Sequence, residues 1–310
     1  MKTLNINILP YSMFAIAIAS VAMSNDAVAK LNVLATTTDL GAITREVGGD
    51  FLSVDVVAKG TQDPHFVEAK PSFMLKANKA DLLIAVGLDL EIGWLPSILR
   101  GARNPKINPG SPGYLEIGPT AEPLDAAKGN LTRAEGDVHP LGNPHVTLDP
   151  IRVGNIAVTL ARRLGELDST NASTYLERAR AFKKRLEEKT RAWQARIDKS
   201  GVKKIVTYHK TLTYFFSRFK IQNVAILEPK PGIPPTSGHI IQVIGIIKEQ
   251  KVPLVLVENF FDPAVTRKIL QEVPGVRSHT VPVSIEGEPE IKTFDDLYEN
   301  LTATIEGSHK

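Results

Sequence analysis

The 310-residue sequence predicts an α/β fold: two parallel-sheet (βα) lobes joined by one long rigid linking helix. Three observations predict it. Short apolar runs alternate with helical stretches in both halves, a pattern that favours parallel sheets covered on both faces. A proline- and glycine-rich segment at 102–144 interrupts the alternation. An unusually long helical periodicity lies in the middle of the chain.

Taken in order, residues 1–29 read as an export leader. Lys2 supplies a positive start, "MFAIAIASVAM" is an apolar run of 11 residues, and "AVA" has the small-x-small pattern of a cleavage site. The apolar run is shorter than the roughly 18 residues a spanning helix needs, so the mature protein is expected to start near Lys30. "LNVLATT" (31–37), "SVDVVAK" (53–59) and "DLLIAVG" (81–87) are then expected strands, and "LGAITREVGG" is a helix stopped by paired glycines. Segment 102–144 reads as a long surface connection leading into a helix near Pro150.

From Asn171 to about Ser200, Tyr175, Ala179, Phe182, Leu186, Trp193 and Ile197 recur at steps of four, three, four, seven and four, one apolar stripe against a charged face. A helix of this length extends roughly 45 Å at 1.5 Å per residue, more than one small lobe needs. Beyond it "KKIVTYH", "QNVAILE", "PLVLVEN" and "HTVPVSI" read as strands. "GHIIQVIGIIKEQ", "DPAVTRKILQEV" and "TFDDLYENLTATI" read as helices. The expected organisation is a signal peptide at 1–29, an N-terminal lobe with its connecting loop at 30–168, a linking helix at 169–200 and a C-terminal lobe at 201–310.

Composition narrows the function. The 43% hydrophobic content fits a chain that buries real cores, and a net charge of +3 without a Lys/Arg block argues against a nucleic-acid partner. With no cysteine, thiolate metal sites and cysteine nucleophiles are excluded, and no disulfide supplements the core. No "HExxH", "GxSxG" or P-loop occurs, so nothing supports hydrolytic or phosphoryl-transfer chemistry.

Ligands of doubly wound sheets bind beyond the carboxyl ends of the strands, and three of the seven histidines fall there. His65 sits in "GTQDPHFVEAKPS" after the second expected strand. His209 closes "KIVTYH", and His145 sits in "NPHVTLDP" at the entry to the helix near Pro150. Three neutral imidazoles from separated segments can form the base of a tetrahedral site for a borderline divalent metal. In "DPH" and "NPH" the proline fixes its own φ and restricts its predecessor, which presents each imidazole from a stiff loop. A simple surface turn would use the same dipeptides, and these features alone leave both readings open.

The motifs together resemble a known family. "GTQDPHFVEAKPS" is similar to the "DPH-x-(Y/F)-E-x-x-PS" signature of the cluster A-I solute-binding proteins of ABC transporters, which capture zinc or manganese outside the cytoplasmic membrane. "NPHVTLDP" resembles the second histidine motif of that family and "IVTYHKTLTYFFSRF" its third. "VLVENFFDP" and "TFDDLYENLTATI" resemble its later strand-loop and terminal helix. The resemblance runs from about Leu31 to Ile305 in the expected order. Two departures are "PPTSGH" where many members have "EPSA", and "VTL" where many have tryptophan after the second histidine.

The resemblance implies a non-enzymatic receptor that holds Zn²⁺ as transported cargo at His65, His145 and His209 and delivers it to a membrane permease. Manganese is the less favoured ion, because its sites keep more oxygen donors. A free periplasmic monomer is expected, since no lipobox cysteine is present. A zinc-dependent hydrolase, an adhesin and a zinc store are the rival readings. The family's fourth ligand is often an aspartate after the last strand, but here that loop reads "VSIEGEPEIKTF". Glu286 is the expected substitute, ahead of Glu288, Glu290 or a water. Glu68 is expected either to hold a ligand histidine through its second nitrogen or merely to open the next helix. Glu258 is expected to be structural or to support a ligand, and Tyr214, Phe215, Phe216 and Phe219 to be core. His139, in "GDVHP", reads as an ordinary loop residue rather than an accessory metal group. His239 and His279 read as capping or packing residues, and His309 lies in the tail.

Overall fold

A computed structural model describes residues 30–127, 139–230 and 232–307. The leader expected at 1–29, part of the long connection, and His309 lie outside the described residues. The two expected parallel sheets are present, each of four strands. The first pairs β1 (Leu31–Ala35), β2 (Leu52–Val56), β3 (Leu82–Ala85) and β4 (Tyr114–Glu116) in the order β2-β1-β3-β4. The second pairs β5 (Lys204–Thr207), β6 (Gln222–Ile226), β7 (Leu254–Glu258) and β8 (Arg277–Val281) in the order β6-β5-β7-β8. Every pairing between these strands is parallel.

Position in the sheet explains the sequence patterns. The central strands β3 and β7 are buried along their whole length and read as continuous apolar runs, whereas the edge strands β2 and β6 are partly exposed and carry Asp55 and Gln222. Edge placement also corrects the expected surface connection at 102–144. Three of its residues form β4, and Leu115 and Ile117 are buried against β3 and its neighbours. A three-residue edge strand is too short to give an alternation signal. The last strand also differs: β8 ends at Val281, so the "PVSI" part of "HTVPVSI" is loop, consistent with Pro282 lacking the N–H needed to extend the ladder.

Helices α1 (Thr38–Gly48), α2 (Pro71–Lys79), α3 (Leu95–Ala102) and α4 (Pro150–Leu167) surround the first sheet. The linking helix α5 (Ala172–Ser200) has 29 residues. Its expected stripe is buried in full, and Thr190 occupies the seven-residue step by returning its hydroxyl to Leu186 O (2.6 Å). In the second lobe α6 (Thr213–Phe219), α7 (Ser237–Gln250), α8 (Arg267–Glu272) and α9 (Phe294–Gly307) follow. The aromatic run Tyr214, Phe215, Phe216 and Phe219 is buried as expected. No described helix is long and apolar enough to cross a membrane.

One hydrophobic core runs through both lobes. It contains Leu40, Ile43 and Val47 of α1, the α5 stripe, and Phe294, Leu297, Tyr298 and Leu301 of α9. Each half-sheet also has a smaller private core on its opposite face. The lobes are therefore not beads on a hinge: α5 packs on α1 and α4 with one end and on α9 with the other. Polar bonds close the seam. Asp39, at the start of α1, accepts from Thr147 Oγ1 (2.7 Å) and from the Ile285 backbone N–H of the second lobe (2.8 Å). Asp149, fully buried, caps α4 through Ile151 N–H (2.9 Å) and receives Nε and a terminal nitrogen of Arg218 (2.9 and 2.8 Å).

Two variants test this seam. A Cβ at Gly60 would stand 2.1 Å from Ile285 O, a backbone atom with no freedom to retreat. Gly60→Ala is therefore expected to destabilise the chain by about 1–3 kcal/mol in chemical denaturation, the usual cost of overpacking. Burial pushes the Asp39 carboxyl up to about 6 against the opposing effect of its Thr147 and Ile285 bonds. With the folded-state value above the unfolded one, the folded protein binds the extra proton between about pH 4 and 6. Asp39 thus stabilises the fold more at the acid end of that window and less as pH rises through about 6. Asp39→Asn, which has no charge to bury, is expected to gain stability relative to wild type as pH rises from about 4 to 6.5, measured as the difference between their urea midpoints.

Candidate metal centre

Three loops at the carboxyl ends of the strands converge where the two sheets face each other. His65 comes from the β2–α2 loop, His145 from the entry to α4, and His209 from the residues just after β5. One nitrogen from each ring lies within 4.8 Å of the other two. The ring centroids stand 5.4 to 5.9 Å apart with interplanar angles of 66 to 86°. Three rings packed nearly perpendicular present edges to a common point, as ligands to one ion do and a stacked cluster does not.

Each histidine is fixed by its local chain. The DPH turn folds so that Asp63 Oδ1 accepts both the His65 backbone N–H (3.0 Å) and the His65 ring Nδ1–H (2.6 Å). Trp94 Nε1–H donates to Pro64 O (2.9 Å), pinning the proline between them. In the NPH turn, Asn143 Oδ1 accepts the His145 backbone N–H (3.0 Å), while Asn143 Nδ2 donates to Lys210 O (3.0 Å) in the other lobe. Tyr214 Oη then donates to Asn143 O (2.6 Å), so the same asparagine is held from both sides. His209 is held through its Nδ1 by Glu228 Oε2, and its backbone N–H donates to Glu258 Oε1 (3.3 Å).

These bonds decide which nitrogen is left for a ligand. A carboxylate without a proton can only accept, so Nδ1 of His65 and of His209 carries hydrogen and Nε2 keeps its lone pair. Burial works to raise the Asp63 carboxyl, but the hydrogen bonds it accepts from His65 outweigh it and hold it below its usual range, in the ionised form this requires. His145 is buried and its Nε2 has no hydrogen-bond partner. Burial, then repulsion from His65 and His209, drives its pKa well below the usual value. Such a ring is neutral, and its lone pair is available to a metal. A buried polar atom without a partner costs about 1–3 kcal/mol, a cost that coordination removes.

The structure brings together three of the four expected ligands. Glu286 is exposed and lines a separate cleft with Arg45, Thr61, Glu288 and Lys292. Its backbone N–H is tied to Ile291 O (2.7 Å) in a loop that turns at a φ of 62°. Glu68 is not the carboxylate behind His65; it is exposed and paired with Lys70 (3.6 Å). That task belongs to Asp63, inside the DPH motif itself, and its sequence signal was the Asx-Pro turn. Glu228 was also missed, although it follows β6 at the carboxyl end where functional groups collect. Glu258 is fully buried, and burial pushes it up to about 8, so it is neutral beside the His209 backbone. His239 donates its backbone N–H to the cap Thr236 and places Nε2 2.9 Å from Ile226 O, while His279 is exposed on β8. His139 is not an ordinary loop residue. Its Nε2 lies 3.0 Å from Nε2 of His65, and its Nδ1 lies 2.9 Å from Leu88 O.

Comparison with known proteins identifies the family of the chain. The family described as "ZnuA: Zinc-uptake complex component A periplasmic" matches residues 33–308. The chain belongs to this family. Among relatives, it is 22% identical to the zinc-binding lipoprotein AdcA of Streptococcus pneumoniae over 88% of this chain and 54% of that one. It is 24% identical to the manganese ABC transporter substrate-binding lipoprotein scaA of Streptococcus gordonii over 91% and 90% of the two chains. A crystal structure of ZnuA superposes with a TM-score of 0.75 at 21% identity, covering 91% of this chain and all of that one. The protein is thus a metal-binding substrate-binding component of an ABC transporter, and relatives named for zinc and for manganese both occur.

Because Glu228 orients His209, Glu228→Gln is expected to weaken metal binding by about 10–100-fold, the usual effect of removing a carboxylate behind a ligand histidine. Competition with a chelator of known affinity measures it.

Proposed function

We propose that this chain is a zinc receptor: it captures Zn²⁺ between its lobes through His65, His145 and His209 and delivers it to the membrane permease of an ABC importer. The observation that carries this is the convergence of three imidazoles within 4.8 Å, one of them with a buried nitrogen that no protein group satisfies. Neutral imidazoles favour zinc, whereas manganese sites draw more on carboxylate and other oxygen donors. The two carboxylates that touch the rings, Asp63 and Glu228, are occupied with Nδ1 hydrogens. They orient ligands and are not placed to activate water, which favours a receptor over a hydrolase. The manganese reading rests on the names of relatives such as scaA and PsaA.

The leader-like residues 1–29 support export to the periplasm, where the receptor would act as a monomer. The lobes of that receptor are residues 30–168 and 201–310, with 169–200 as the link. The shared core along α5 argues for small adjustments of the site loops in place of a wide hinge motion.

Purified protein is expected to bind one zinc per chain. His145→Ala and His209→Ala should each abolish stoichiometric binding in metal analysis after dialysis, with circular dichroism unchanged. Full retention of zinc by both variants, or preference for Mn²⁺ in direct competition, would reject the reading.

A further inference from the structure

The second histidine motif of this chain carries an additional histidine, His139, at the far end of the same turn. The turn is anchored at several points. Gly142 N–H donates to His139 O (3.0 Å), Ala127 N–H to Pro140 O (3.1 Å) and Asn143 N–H to Leu124 O (2.7 Å). Gly142 takes a φ of 123°, and a Cβ there would stand 2.6 Å from Pro123, so the turn is closed over its support. His139 and His145 therefore leave one small scaffold, and the ring of each packs against His65, with centroids 5.1 and 5.4 Å away.

The hydrogen bonds fix what the His139 ring presents. Leu88 O can only accept, so His139 Nδ1 carries the hydrogen, and in the neutral ring Nε2 is a bare lone pair. His65, with Nδ1–H given to Asp63, presents the same bare Nε2. The two nitrogens stand 3.0 Å apart. Two acceptor nitrogens at that distance need a proton or a metal ion between them, and either one marks the pair as facing a cation position. Zinc bonds of about 2.0–2.1 Å at a tetrahedral angle place neighbouring ligand nitrogens roughly 3.3 Å apart. The His65–His139 separation is close to that edge of a coordination tetrahedron.

We propose that His139 is the fourth zinc ligand, so that the site is built from four imidazoles with no carboxylate. This rests on the receptor reading above and deepens it. His139 lies outside the group of three mutually close donors and joins it through His65. With the ion between them, the His65 and His139 nitrogens turn from each other toward one centre. The carboxylate expected after the last strand is then replaced by an imidazole from the first lobe, and Glu286 is left to its own cleft. An all-nitrogen, uncharged donor set leaves the full charge on the ion and selects zinc or Co²⁺ over Mn²⁺.

The test is X-ray absorption spectroscopy on the full-length protein with one equivalent of Zn²⁺, together with chelator competition on His139→Gln and Glu286→Gln. Four imidazole nitrogens in the wild type and three plus one oxygen in His139→Gln are expected. Affinity should fall at least about tenfold in His139→Gln and stay within twofold in Glu286→Gln. A wild-type site of three imidazoles and one oxygen would overturn the assignment, as would unchanged affinity in His139→Gln. Both results leave the receptor reading intact provided His145→Ala still loses the metal. Zinc retained in full by both His145→Ala and His209→Ala removes that reading and this one with it. Wild-type absorption needs no variant to fold, so the assignment is decided even if His139→Gln is unstable.

Discussion

Three imidazoles packed edge to edge, two of them tied through Nδ1 to a carboxylate, are the constraint around which this protein is arranged. Without an ion the cluster gains little: a buried His145 nitrogen has no partner, and that ring resists protonation because burial, then the neighbouring rings, disfavour its charged form. Something else has to hold the rings there. That task falls to apolar packing and to hydrogen bonds outside the cluster.

The packing is supplied by one core that passes through both lobes along α5. A long amphipathic helix buried along a single stripe fixes the distance between two sheets more firmly than a loop, because rotating either lobe would expose Phe182 or Trp193. The polar seam then sets the finer register. Asp39, Asn143 and Asp149 each reach from one lobe to a backbone or charged group in the other. Asn143 and Asp149 flank His145 and Asp39 bonds the nearby Thr147, so the lobes are locked close to where this ligand emerges. Pre-organised ligands lose little entropy when an ion arrives, which is how a site of only a few donors achieves tight binding.

Function follows from the roles left to the carboxylates. Asp63 and Glu228 lie behind His65 and His209, where they set the tautomer and raise ligand basicity. A receptor that must hand its cargo on benefits from an ion held by neutral rings, since no ligand charge has to be separated from the metal on release.

Much of this was legible in the chain itself. Periodicity gave the two α/β halves and the α5 stripe, because burial on one face or two imposes its period directly on residue type. The proline-flanked histidines and their place after strands pointed to His65, His145 and His209. What periodicity could not give was β4, too short to show a pattern, or Glu228, whose relation to His209 crosses 19 residues, one helix and one strand. His139 and Glu286 mark the division most clearly. Both are polar residues in irregular loops, equal in sequence terms. Only the tertiary structure, by tying one turn to Leu124 and Leu88 and the other loop to Ile291, set the imidazole of His139 beside His65 and the carboxylate of Glu286 in a different cleft. The sequence determined which groups could bind a metal, since that is a property of side-chain chemistry. Their meeting at one point depends on long-range packing, which no local pattern encodes.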